Sequence, residues 1–140
     1  MYTPSFSRAA SAYRQVGAQS GVESASPHRL IQMLFEGLLQ NLNAARGAIE
    51  RGEVEVKGTQ LGRAVRILEE GLKGSLNREQ GGELAANLGA LYDYCIQRLT
   101  HANLRNDVQA VEEVVSLVEP VAQGWQEIGS GSAPAAAAGQ

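Results

Sequence analysis

SPHRLIQMLFEGLLQNLNAARGAI, residues Ser26 to Ile49, is the stretch whose reading decides the fold. Placed on a helix, Ile31, Leu34, Phe35, Leu38, Leu42, Ala45 and Ile49 recur at i, i+3, i+4 and i+7 and form one apolar face. Leu30 and Leu39 widen that face to about half the circumference, and Met33 lies beyond it. A helix apolar over so wide an arc needs more than one neighbour to pack against. Ser26 supplies an N-cap oxygen, and Pro27 at the first helical position has no N–H to lose. Gly52 is the natural stop.

Three further helices follow. The second begins near Glu53 and ends near Gly74, with Val54, Leu61, Val65, Leu68, Leu72 and Leu76 as its core face. Asn77 with Gln80 three residues on reads as a capping box for the third. That helix sets Leu84, Leu88, Leu91, Cys95, Leu99 and Ala102 on one side, and Gly81-Gly82 loosen its first turn. Asn106-Asp107 opens the fourth, lined by Val111, Val114, Val118, Val121, Ala122 and Trp125, with Pro120 bending it. The connections are too brief for a crossover, so the fold class is all-α: an antiparallel, up-down-up-down four-helix bundle. The organisation is then a flexible N-terminal cap over residues 1–25, the bundle over 26–128, and a disordered Ala/Gly/Ser tail over 129–140. Within the first segment, Arg8 to Val16 can form a turn or two of helix before Gly17, docked through Tyr13 and Val16.

Composition narrows the function class. The 140 residues carry a net charge of −3 and no Lys/Arg stripe, which argues against a nucleic-acid partner. One Cys cannot form an internal disulfide, and no apolar run reaches the ~18 residues of a membrane span, so a cytoplasmic protein without membrane insertion is expected. His28 and His101 stand on different helices without metal-ligand partners, and Cys95 lies on a core seam as a small hydrophobe. Glu69-Glu70 and Glu112-Glu113 diverge by about a hundred degrees on a helix and make solvated faces, not an acid/base pair. No cofactor, metal or catalytic motif is expected, and an enzyme is disfavoured.

What remains is apolar surface off the core faces. Val56 and Ile67 point roughly opposite Leu61, Leu68 and Leu72; Tyr94 and Ile96 project from the third helix on different flanks; Leu104 and Met33 stand behind them as candidates. These residues either merge into a partner groove or belong to an ordinary wide core. The small residues Gly58, Gly62, Ala64, Gly71 and Gly74 likewise serve close helix packing or, at the glycines, close approach of a partner backbone. The rival to a partner groove is self-association into a structural helical bundle.

Several stretches resemble the FliS family of flagellin export chaperones: MYT at Met1 to Thr3, AYRQV at Ala12 to Val16, SASPHRLIQMLFEG at Ser24 to Gly37, GGELAANLGALYDY at Gly81 to Tyr94, and HANLRND at His101 to Asp107. The resemblance covers Met1 to about Ile128. It implies a cytosolic chaperone that binds the disordered C-terminal segment of flagellin, 1:1, as a clamp around the bundle. That binding prevents early polymerisation and supports type III export, with the export gate as a further partner. It also implies that the N-terminal cap covers part of the apolar surface without client, with Tyr13 at the capping aromatic's position. The small Ala10 departs from the larger aliphatic residue common in the family. The partner-binding candidates Val56, Ile67, Tyr94, Ile96, Met33 and Leu104 come from helical geometry and not from the resemblance.

Overall fold

The computed structural model describes residues 25–129. The cap residues Ala10, Tyr13 and Val16 and the Ala/Gly/Ser tail lie outside them. Four helices follow one another: α1 (Pro27–Arg51), α2 (Val54–Arg66), α3 (Arg78–Arg105) and α4 (Val108–Gly129). They form an antiparallel bundle, and no strand occurs among the described residues.

The ends of α1 form as local chemistry dictates. Ser26 Oγ accepts the Arg29 N–H at 3.1 Å. Gly52 takes φ 72°, and the chain reverses with the Glu53 N–H donating to the Ala48 carbonyl at 2.8 Å. Asn77 Oδ1 accepts the Gln80 N–H at 3.0 Å ahead of α3. Asn106 closes α3 in the left-handed region at φ 54°, and Asp107 Oδ1 accepts from Gln109 N at 3.1 Å to start α4. Helix α4 runs unbroken through Pro120, which is exposed.

The second helix departs from a continuous run to Gly74. From Ile67 to Leu72 the chain is π-helical, and Lys73–Ser75 is a 3-10 turn. Pairing i with i+5 widens the turn, and Ile67, Leu68, Gly71 and Leu72 all face inward. The Ser75 hydroxyl donates back to the Gly71 carbonyl at 2.6 Å as the helix ends.

Leu34, Leu38 and Leu42 of α1 are wholly inaccessible, as are Leu68, Leu99 and Val111 from the other elements. Burying side chains of this size is worth about 1.5–3 kcal/mol each. Helix α1 packs against both α2 and α4, which accounts for its wide apolar arc. Met33, expected beyond the face, is buried.

Gly82 interrupts α3. Its φ 55° and ψ −127° lie outside any helix, so the first turn after Asn77 and the long helix that follows are two pieces meeting at an angle. Nothing lies within 4 Å of where a Cβ would sit. Gly82→Ala therefore tests backbone strain free of crowding, and urea unfolding should show a loss of about 1–3 kcal/mol. Unchanged stability would mean that the corner re-forms at no cost.

Candidate binding surface

The corner at Gly82 has a direct consequence for the surface. In the N-terminal half of α3 the inward positions are Ala85, Gly89 and Tyr92, while Leu88 and Leu91 are half-buried and Leu84 is 47% exposed. Of the expected seam, Cys95, Leu99 and Ala102 are buried and Leu88 and Leu91 pack partly buried against the core, so only Leu84 is corrected: it stands out from the core while Ala85 beside it faces inward. Leu84 and Leu88 line a cleft of about 270 Å³. Ile31 and Phe35 of α1, Leu76 after the 3-10 turn, and Val121 and Trp125 of α4 complete its walls. Asn77 and Gln80 stand among its few polar lining residues. A cleft so apolar, open at one end of a bundle, suits an apolar chain segment.

A second groove, of about 490 Å³, runs between α1 and α4. Phe35, Leu39 and Ala122 line it, and Gln32, Glu36 and Glu119 are among its polar lining residues.

The six candidate residues separate by location. Val56 is 42% exposed, and Leu104 is 74% exposed. Both lie at the end of the bundle opposite the cleft, where Lys57 ties the start of α2 to the end of α3: its Nζ donates to the Asn103 carbonyl at 2.9 Å and to Asn106 Oδ1 at 2.6 Å. Tyr94 is 42% exposed, and Ile96 is half-buried against the core. Ile67 is in the core cluster and Met33 is buried, so neither faces outward. For Ile67 the outward placement is corrected for a physical reason. The buried face of α2 and its π turn includes Lys57, Ala64 and Gly71. At ~100° per residue these rotate its centre towards Ile67 and away from Val65. A wheel weighted by large aliphatics misses two small residues and a lysine.

Tyr94 is held at the surface. Its hydroxyl donates to Glu113 Oε2 at 2.6 Å, and Arg98 Nε donates to Oε1 at 2.8 Å, so one carboxylate fixes two side chains of α3. The Tyr94 bond, followed by the Arg98 bond, lowers the Glu113 carboxyl below its ordinary 4.5, and the same bond raises the Tyr94 phenol. A carboxylate lowered in the folded state adds stability above its unfolded value and loses it as the pH falls through the lowered one. The stability difference between the native protein and Glu113→Gln should thus be complete near neutrality, begin to shrink below 4.5 and vanish only once the pH has fallen through the lowered folded-state value. Unfolding curves across that range check it, and a difference constant with pH would contradict it.

Cys95 is inaccessible, and burial, with a smaller contribution from the Glu113 charge, pushes its thiol up to about 11. Burial likewise raises the Tyr92 phenol. His101 Nε2 lies 3.3 Å from Asp107 Oδ2. Among the described residues no group of His, Cys, Asp and Glu could hold a metal ion, and no helix is long and apolar enough to cross a membrane.

Comparison with known proteins agrees with this geometry. A family model described as "Flagellar protein FliS" matches residues 9–132. The flagellar secretion chaperone FliS of Salmonella typhimurium is 51% identical over 128 residues, spanning 91% of this chain and 93% of the relative. The Bacillus subtilis protein of the same name is 38% identical over 109 residues, 78% of this chain and 80% of its own length. A crystal structure of a bacterial flagellar chaperone superposes with a TM-score of 0.68 at 18% identity, covering 81% of this chain and 92% of the other, which shows the shared fold.

Proposed function

The chain belongs to the FliS family of flagellar proteins, and on that premise we propose that it is a cytoplasmic export chaperone for flagellin. It binds the disordered C-terminal segment of its client 1:1, prevents premature polymerisation and prepares the client for type III export. The role is one of binding and not catalysis.

The observation that carries this reading is the open apolar cleft at one end of the bundle, with exposed apolar residues continuing along α3 to the other end. Leu84, Tyr94 and Leu104 are each at least 42% exposed. At 1.5 Å per residue, Leu84 and Leu104 are about 30 Å apart along the helix. At ~100° per residue each step of ten turns the track by about 80°. The line they mark winds around the helix, and a ligand following it must wrap. Ordering such a segment opposes binding, and a long apolar track supplies the area that offsets it. Val56, Tyr94, Ile96 and Leu104 serve as contacts beyond the cleft, while Ile67 and Met33 are buried in the free protein.

Size-exclusion chromatography with light scattering tests the reading against self-association. The protein alone should elute as a monomer at tens of micromolar, and with flagellin as a 1:1 complex. An obligate oligomer that does not take up flagellin would favour a structural helical assembly.

A further inference from the structure

One ring pair fastens the start of α1 to the end of α4. His28 and Trp125 stack with centroids 4.7 Å apart and planes inclined by 4°. His28 Nε2 lies 2.6 Å from the Trp125 carbonyl. A carbonyl only accepts, so Nε2 carries the proton and donates. The indole Nε1–H donates in return to the His28 carbonyl at 3.0 Å. Gly129 closes the slot from another side: a Cβ there would overlap the imidazole ring, so only glycine lets its backbone come so near.

Trp125 lines the cleft and His28 does not. The imidazole therefore backs the indole from outside the cleft, and stacking with two reciprocal hydrogen bonds removes the ring's freedom to rotate. A tryptophan without that backing would sample several rotamers, some of them filling the cleft. Any ligand would then have to order the ring as it binds, at a cost that weakens affinity roughly three- to tenfold.

We propose that His28 is a positioning residue for client binding: it presets the Trp125 ring as a wall of the cleft, and Gly129 is the residue whose missing side chain admits the imidazole. The inference rests on the reading of the cleft as the client site.

The chain has one tryptophan, so its fluorescence reports Trp125 alone. Full-length protein and the variants His28→Ala, His28→Phe and Gly129→Val are titrated with a synthetic peptide covering the C-terminal segment of flagellin. Emission anisotropy and Tm are recorded for each. His28→Ala and Gly129→Val should lower the Trp125 anisotropy and weaken peptide binding about three- to tenfold. His28→Phe keeps a flat partner for the indole and should bind within about twofold of the native protein. His28→Gln, which keeps a donor but no ring to stack, stands in for His28→Ala if that variant does not fold. Native affinity in His28→Ala (or His28→Gln) and Gly129→Val, whatever their Tm, would make the ring pair merely structural and overturn the proposal. Failure of the native protein to bind the peptide would remove the reading of the cleft and this inference with it. Native binding with unaffected variants removes the inference alone.

Discussion

Leu84→Glu should reduce affinity for the C-terminal segment of flagellin by at least about a hundredfold while leaving the bundle folded. The residue is 47% exposed in the free protein and lines the cleft, so its replacement opens no core cavity. Stability should change by no more than about 0.5 kcal/mol, as for other surface substitutions. On the proposed function, an apolar client covers this position in the complex. A carboxylate there must then shed its water without a partner or hold the client off, and either costs far more than the lost leucine contact. Calorimetric titration with a circular-dichroism melt on the same sample measures both quantities. Binding within a fewfold of native would remove the cleft from the client site.

The second large effect is on stability. Lys57→Met should lower the unfolding free energy by about 2–3 kcal/mol, read by urea denaturation. Lys57 is buried, at 6% exposure, and its ammonium group joins the Asn103 carbonyl and the Asn106 side chain at the left-handed end of α3. A cation at a helix C-terminus also complements the partial negative charge of its free carbonyls. Methionine replaces the aliphatic stem and leaves little cavity, so the loss measures the charge-assisted bonds and not the packing. An effect under about 0.5 kcal/mol would show that water takes over both bonds.

Lys57 also shows what the sequence holds and where its legibility ends. The lysine falls four residues before Leu61 and seven before Ala64, on the inward face, yet a pattern weighted by large aliphatic residues passes over it. Its partners, at the far end of α3, come only from the tertiary fold. Caps were legible because they are local: Ser26, Gly52 and Asn77 act within four residues of themselves. The inward face of α1 was legible because large aliphatic residues dominate it. The faces of α2 and of the first half of α3 were misplaced at Ile67 and Leu84, where Ala64, Gly71, Ala85 and Gly89 form the buried centre, since small residues carry no weight in an apolar pattern.

The cleft itself was not legible. Its walls come from α1, the turn after the π segment, α3 and α4, and Leu84 joins them because Gly82 breaks the helix before it. The glycine pair signalled a loose corner, but no pattern in one helix gives the angle at which two pieces meet. His28 and Trp125 are separated by 97 residues, and their pairing needed the fold. The family was legible by another route: stretches from Ser24 to Gly37 and from Gly81 to Tyr94 resemble it, and the family match spans residues 9–132.

The most direct test of the central claim is a calorimetric titration of the full chain, at several temperatures, with intact flagellin and with flagellin lacking its C-terminal segment. Binding to intact flagellin at 1:1 with a negative heat-capacity change, lost on truncation, is the predicted result, because apolar burial carries that heat-capacity signature. Equal binding to both forms would contradict the account and place the client contact elsewhere on flagellin.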